Sequence, residues 1–221
     1  MNDRVRVALV QLPHCADQRE FEPLANDPEV ELVRATRPEE LEGCELVVVP
    51  GTKRTIPDLE WMRSTGMLDA VEGAASRGAV LFGICGGFQM LGRELLDPEA
   101  IEGATPRCEG LGRFDVTTTF TREKIDQPVE ATASGGFLDV GSRVVGFELH
   151  GGRSTLHAGD VVRLFDEQVL GDCDCPLGIA NRDLTVIGTY LHGVLADETF
   201  RRRLLAHLRE RRAECGDRDS A

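Results

Sequence analysis

The residues best suited to chemistry surround a single cysteine. A largely apolar run, Ala79 to Ile84, ends at Cys85; two glycines follow it, and an apolar segment with helical spacing comes next. This order of strand, sharp turn and helix is typical of a nucleophile elbow, which lifts a reactive side chain clear of a sheet. A cysteine at a helix N-terminus is favoured as the thiolate, the nucleophilic form. The pattern predicts nucleophilic catalysis by Cys85, although a buried structural cysteine gives the same local pattern.

A thiol nucleophile needs a base to take its proton, and the chain has five histidines. His150 and His192 both stand at the ends of β-prone runs and next to glycine, which would present their rings at the edge of a sheet. His192 follows a β-prone run and precedes Gly193, which predicts a presented ring, so His192 is the favoured base and His150 the second candidate. The remaining histidines fall in predicted loops or on the surface of the last helix: His14, His157 and His207.

Alternating strand-like and helix-like segments must hold these residues in place. Strand patterns occur at residues 5–10, 30–34, 46–49 and 79–84, and helical patterns lie between them at 21–26, 38–41, 56–66 and 67–77. This alternation predicts an α/β fold with a mostly parallel sheet and helices on both faces. Ligands bind such sheets beyond the carboxyl ends of the strands. Gly51, Thr52 and Cys85 all follow strand ends, so we expect them to share one rim.

The pattern changes in the middle of the chain. Residues 110–145 contain β-prone runs separated by turn residues, which predicts an antiparallel β excursion that rejoins the sheet near residues 146–150. Further strands are predicted at 161–165, 178–180 and 185–193, and a last helix begins near Asp197. We predict one domain over residues 1–212, followed by a polar tail at 213–221 that frays.

Composition limits the partners. The net charge of −13 argues against nucleic acid, because phosphate binding needs a basic surface. Apolar runs such as Leu46 to Val49 are far too short to span a membrane, and no leader pattern indicates secretion. The chain has seven cysteines, and they lack the spacing of a disulfide framework. Together with the absence of a leader pattern, these cysteines predict a cytoplasmic protein. Cys173 and Cys175 have no second pair of ligands, so no metal site is predicted.

A set of motifs extends along almost the whole chain: Leu12-Pro13, Phe21 to Leu24, Pro50 to Leu59, Gly83 to Gln89, Gly110 to Gly112, Gly146 to Arg153 and Gly188 to Gly193. In this order they resemble the class I glutamine amidotransferases, most closely the cobyric acid synthase branch of cobalamin biosynthesis. The resemblance implies the flavodoxin-like α/β fold of that class. It also implies glutamine hydrolysis, in which the side-chain amide of glutamine yields ammonia and glutamate through a thioester.

The resemblance assigns roles to individual residues. Cys85 would attack the glutamine amide, and His192 would take the thiol proton and deliver it to the departing ammonia. Backbone N–H groups near Gly51 and Thr52 and at Gly86 would form the oxyanion hole. Removal of one such donor typically costs about 100- to 1000-fold in rate. The substrate glutamine would be held by two further elements: Gln89 and the loop at His150-Gly151.

One departure from the class I pattern concerns the base. In many class I domains a glutamate two positions after the histidine orients its ring, but here that position is Val194. The cobyric acid synthase branch resembles this chain in lacking that glutamate. The orienting group is left open, with Glu148 and Asp197 as candidates.

A second departure concerns ATP. The chain has no Gly-x-x-x-x-Gly-Lys-Ser/Thr loop, whereas cobyric acid synthases activate the acceptor carboxylate in an ATP-dependent domain. The resemblance implies that ATP and Mg²⁺ belong to a partner synthetase, that this chain needs no cofactor, and that its ammonia amidates corrin carboxylates there. The chain would then be a fragment of a longer synthase or a separate subunit. Its length also suits a glutaminase subunit that serves a Mur-ligase-like partner on a peptidoglycan precursor. A catalytically silent binding or regulatory module is a further alternative.

Overall fold

A computed structural model describes residues 4–167 and 175–218. In chain order its strands are β1 (Val5–Val10), β2 (Val30–Ala35), β3 (Leu46–Val49), β4 (Val80–Ile84), β5 (Glu94–Leu96), β6 (Arg107–Glu109), β7 (Asp115–Ala133), β8 (Arg143–Ala158), β9 (Val161–Arg163), β10 (Phe165–Glu167), β11 (Gly178–Asn181), β12 (Val186–Thr189) and β13 (Leu191–His192). Its α-helices are α1 (Glu22–Ala25), α2 (Thr55–Ser64), α3 (Met67–Ser76), α4 (Gly86–Leu91) and α5 (Glu198–Arg218). Short 3₁₀ helices cover Gln18–Phe21, Pro38–Leu41 and Val194–Ala196.

The main sheet has seven strands in the order β2-β1-β3-β4-β12-β11-β9. The first five strands run parallel. At the end of the sheet β11 pairs antiparallel with β12, and β9 pairs antiparallel with β11. Every residue of β3 and β4 is buried, as expected for strands covered on both faces. Helix α4 packs against β3, β4 and β12, while α5 packs against β1. The predicted α/β class with a mostly parallel sheet is confirmed.

The carboxyl ends of four adjacent strands build one edge of this sheet. The connections that leave β1, β3 and β4 there carry Glu20, Gly51 and Cys85, and β12 leads through Tyr190 into β13, which ends at His192. Since parallel strands end at the same edge, residues far apart in sequence are brought to one rim.

A second sheet, in the order β13-β8-β7-β5-β6, contains the predicted antiparallel excursion. The prediction that the chain rejoins the main sheet near residues 146–150 is wrong, because β8 pairs with β7 and β13 instead. The place beside β4 is taken by β12. Near residues 146–150, β7 pairs with one edge of β8 and β13 pairs with Phe147 and Glu148 on the other, so this part of β8 is held in the second sheet.

The end of the chain differs from the sequence prediction in two details. Helix α5 runs to Arg218, so the boundary predicted at Arg212 falls within a helix, since arginine, glutamate and alanine there favour helix. Residues 219–221 lie outside the described part. His207, predicted to be exposed, is buried: its Nε2 lies 2.9 Å from the carbonyl oxygen of Leu184, and its ring stacks on Phe137.

Two further observations concern residues 4–167 and 175–218 only. No helix in this part of the chain has the length and apolar character that crossing a membrane requires. Nor does this part bring three or more histidine, cysteine, aspartate or glutamate side chains together in a group that could hold a metal ion. Cys173 and Asp174 lie outside it.

Candidate active site

Cys85 occupies the turn between β4 and α4 in a backbone conformation that L-residues rarely adopt. Its φ is 51° and its ψ is −109°, a strained combination that is found mostly at functional sites. Gly87 allows α4 to approach the end of β3 closely, since a Cβ there would lie 1.9 Å from the carbonyl oxygen of Val49. The thiol donates to the carbonyl oxygen of Leu149 at 3.4 Å. The predicted strand, sharp turn and helix are therefore present, with the sulfur at the rim.

His192 and Cys85 both lie close to Gly51. A Cβ at Gly51 would lie 3.2 Å from Cε1 of His192 and 3.5 Å from Cβ of Cys85. The ring of Phe147 stacks on the imidazole, with centroids 5.0 Å apart and planes inclined by 11°. The missing side chain at position 51 thus lets His192 and Cys85 approach the same stretch of backbone, and Phe147 fixes the plane of the histidine ring.

The electrostatic surroundings of His192 favour its charged form. Burial by itself lowers the pKa of His192, but hydrogen bonds with Cys85 and Glu20 outweigh burial and raise this pKa to about 10. Oε2 of Glu20 lies 3.1 Å from Nδ1 of His192. This leaves Nε2 for Cys85. The site therefore favours an imidazolium at His192, beside the sulfur of Cys85.

The sequence leaves the orienting group open, and neither of the two candidate acids, Glu148 and Asp197, contacts His192. Oε1 of Glu148 lies 2.9 Å from Nε2 of His150. Asp197 caps α5 by accepting a hydrogen bond from the backbone N–H of Phe200 at 2.8 Å. Glu20 takes the position instead. No spacing rule in the sequence connects two residues 172 positions apart; the one available signal is that Glu20 directly precedes the motif that begins at Phe21.

His150, the second candidate base, is held within the second sheet. Its ring stacks on Tyr190, with centroids 3.9 Å apart, and its side chain is almost completely buried. With Nε2 directed at Glu148, the ring is fixed away from a role in proton exchange with Cys85. Of the two histidines, the geometry favours His192 as the base.

Gln89 connects the helix behind Cys85 to the strand that faces it. Its Nε2 donates to the carbonyl oxygen of Gly151 at 2.9 Å, and its Oε1 accepts from the hydroxyl of Thr55 at 3.1 Å. The side chain is buried. These contacts place the backbone of residues 149–151 next to Cys85, so Gln89 shapes the predicted glutamine site by holding that loop.

The Gly51-Thr52 segment and Gly86 meet directly. A Cβ at Gly86 would lie 3.1 Å from the backbone nitrogen of Thr52. The hydroxyl of Thr52 contacts the buried carboxylate of Asp58, which also accepts from the backbone N–H of His14 at 3.2 Å. His14 has no predicted role, yet its backbone and ring both help to hold this loop. The eight predicted site residues thus surround one rim.

The fold and this rim define a class of protein. The chain belongs to the family of CobB/CobQ-like glutamine amidotransferase domains, whose model matches residues 6–200. Among solved structures it is similar to one described as a glutamine amidotransferase, with a TM-score of 0.64 and 21% identity over 91% of this chain and 97% of that one. It is also similar to PurLQS from Thermotoga maritima, with a TM-score of 0.66 and 18% identity over 93% and 99% of the two chains. At these identities the likeness shows the fold.

Three similar curated proteins carry the same name. The cobyric acid synthase of Sorangium cellulosum is 38% identical over 93% of this chain and 42% of its own length. That of Photorhabdus laumondii is 37% identical over 93% and 41%, and that of Dehalococcoides mccartyi is 34% identical over 96% and 44%. The chain spans about two fifths of the length of these relatives. It is a glutamine amidotransferase domain related to cobyric acid synthase.

Proposed function

We propose that this chain hydrolyses glutamine through Cys85 and His192 and delivers the ammonia to an ATP-dependent synthetase that amidates corrin side-chain carboxylates. The observation that carries the proposal is the arrangement around Gly51. A strained cysteine and a histidine with a raised pKa both lie against the same glycine there. Family membership supplies glutamine as the substrate, and the name of the relatives supplies the corrin acceptor.

The proposed reaction uses Cys85 as the nucleophile and His192 as the proton donor. The thiolate of Cys85 attacks the side-chain carbonyl carbon of glutamine, and the imidazolium of His192 gives its proton to the departing ammonia. The resulting thioester is cleaved by water, which releases glutamate and restores the thiol. The backbone N–H groups of Thr52 and Gly86 would stabilise the negative oxygen of each tetrahedral intermediate, since the two segments touch.

Labelling of the wild-type chain tests this proposal. The probe is 6-diazo-5-oxo-L-norleucine, an electrophile that has the shape of glutamine and reacts only where glutamine binds beside a nucleophile. We expect one adduct, located on Cys85 by mass spectrometry, and protection from labelling by glutamine. Release of glutamate from glutamine is measured on the same preparation. A folded protein that is not labelled at Cys85, or is labelled equally at several cysteines, would contradict the proposal.

The partner is proposed to dock on an exposed apolar stripe next to the site. Val145, Phe147 and Leu149 alternate along one face of β8 and are 50%, 45% and 42% exposed. The middle of the stripe lies against the base, because Phe147 stacks on His192. Contiguous exposed apolar side chains mark interaction sites. Since the relatives are more than twice as long as this chain, the occupant is the ATP-dependent synthetase, as a region or a subunit, and ATP and Mg²⁺ would bind there.

Val145→Asp should separate docking from catalysis. Val145 lies on the stripe two residues from Phe147, so a buried carboxylate at the interface should reduce synthetase-dependent amide formation by about tenfold or more. Basal glutamate release should be unchanged. Both rates are measured with and without the synthetase. Val140→Asp is the matched control, because Val140 is 75% exposed and lies outside the stripe. Equal losses in the two variants would exclude the stripe as the docking surface.

The other functions considered from the sequence receive less support. The cobyric acid synthase relatives favour the corrin acceptor over a peptidoglycan precursor. A silent binding module would have no need for the strained backbone at Cys85, which costs on the order of 1–3 kcal/mol.

A further inference from the structure

The base histidine has a second polar contact on the side away from the thiol. Glu20 lies in the 3₁₀ helix Gln18–Phe21, and its carboxylate binds two adjacent residues. Oε2 lies 3.1 Å from Nδ1 of His192, while Oε1 accepts from the backbone N–H of Gly193 at 2.9 Å. The side chains of Glu20 and His192 are each only 9% exposed. A carboxylate that is this buried needs such partners, and here both of its oxygens have one.

We infer that Glu20 is the positioning residue of a Glu20–His192–Cys85 triad, in which its carboxylate keeps the proton on Nδ1 of His192 and directs Nε2 at the thiol. This inference rests on the proposed glutaminase function. Position 194, where many class I domains carry the orienting glutamate, is a buried valine in the next turn. Instead, the connection that follows β1 supplies the carboxylate of Glu20, which lies N-terminal to His192 in the sequence.

The contact to Gly193 makes the carboxylate a clamp on the backbone as well as on the ring. Gly193 has a φ of 80°, so the chain turns sharply immediately after His192. With one oxygen on the ring and the other on the next backbone N–H, Glu20 fixes both the rotation of the imidazole and the turn that carries it. Removal of the charge alone therefore affects the proton on the ring more than the turn, because a carboxamide of the same shape still has an acceptor.

The charged groups near this pair set the sign of the pH effect. His192 faces the Cys85 sulfur from α4 and Glu20 from the 3₁₀ helix, with Asp17 at longer range. Cys15 faces Glu20 from the preceding loop; burial, Asp58 and Glu20 raise its pKa to about 11, so it stays neutral. Arg34 acts on Cys15 and Arg19 pairs with Asp17, while the charges that act directly on His192 are those of Cys85 and Glu20, which favour the imidazolium. Loss of the Glu20 charge moves deprotonation of His192 to lower pH.

The test compares Glu20→Gln with Glu22→Gln, which removes an equal charge from an exposed position two residues away. For Glu20→Gln we expect kcat/KM for glutamate release to fall about 10- to 100-fold, less than for a serine enzyme because a thiol needs less help. The alkaline limb of the pH profile should move down by about one unit or more, because the proton for ammonia is lost earlier. Glu22→Gln should match wild type in both. Wild-type values for Glu20→Gln, or an equal shift in Glu22→Gln, would overturn the inference.

A measurement on the wild-type chain keeps the test independent of variant folding. Nitrogen NMR of ¹⁵N-histidine-labelled protein should show His192 protonated on Nδ1 and still an imidazolium at pH 8, with His192→Gln used to assign its signals. Titration of His192 near its ordinary value of about 6.5 would overturn the inference. If the electrophile fails to label Cys85, the proposed function fails. If labelling and hydrolysis occur but Glu20→Gln is unchanged, only the role of Glu20 fails.

Discussion

Cys85→Ser should lower glutamate release by at least about 10⁴-fold, the scale seen when a hydrolase loses its nucleophile. The reason lies in the pair and not in the nucleophile alone. The hydrogen bond with Cys85 is the largest of the interactions that raise the pKa of His192 to about 10. A serine hydroxyl is a far weaker acid than a thiol, so the variant loses the nucleophile and, with it, the main interaction that keeps His192 charged. Glutamate release is measured on wild type and variant at pH 7.5, together with the thermal unfolding of both.

Cys15→Ser is the matched control for this loss. Cys15 lies at the same rim, where it forms an isolated β-bridge with Thr52. Burial, Asp58 and Glu20 raise its pKa to about 11, so it does not supply a thiolate at neutral pH. We expect Cys15→Ser to hydrolyse glutamine at the wild-type rate. Activity retained in Cys85→Ser and lost in Cys15→Ser would reverse the assignment of the nucleophile.

The main sheet could be predicted from the sequence because its strands are local patterns. The strands at 5–10, 30–35, 46–49 and 80–84 are short apolar runs, a pattern that indicates buried strands. Helical segments separate them, and this alternation indicates that the strands run parallel. The path of β8 could not be predicted in this way. Residues 143–158 have strand character in either sheet, and only long-range pairing with β7 decides between the two.

The residues of the candidate site also divide into those that local patterns could predict and those that only long-range contacts place there. Cys85 and Gly51 could be found because each directly follows a buried strand, and His192 because it ends one. Glu20 could not, because it stands ten residues beyond the end of β1 and meets His192 only when β1 and β12 are placed in one sheet. Glu148 was a reasonable candidate by proximity in sequence to the second sheet, but strand alternation turns it toward His150, two residues away on the same face.

Gly87→Ala should destabilise the protein by more than about 3 kcal/mol, the upper end of ordinary overpacking. A Cβ there would lie 1.9 Å from the carbonyl oxygen and 2.6 Å from the carbonyl carbon of Val49, and 3.0 Å from the carbonyl oxygen of Pro50. All three are backbone atoms, so no side-chain rotation relieves the clash. The free energy of unfolding, measured in urea, reports the loss.

Gly73→Ala is the control for this loss, because we expect this variant to be more stable than wild type. Gly73 lies in α3, and the nearest atom to its built Cβ is Nη1 of Arg77 at 3.2 Å, the mobile end of a long side chain. This variant should gain up to about 1 kcal/mol from helix propensity. A Gly87→Ala chain within about 1 kcal/mol of wild type would contradict the close packing of α4 on β3. Because that packing brings Cys85 beside Gly51, the contact that stabilises the fold is also the one that assembles the site.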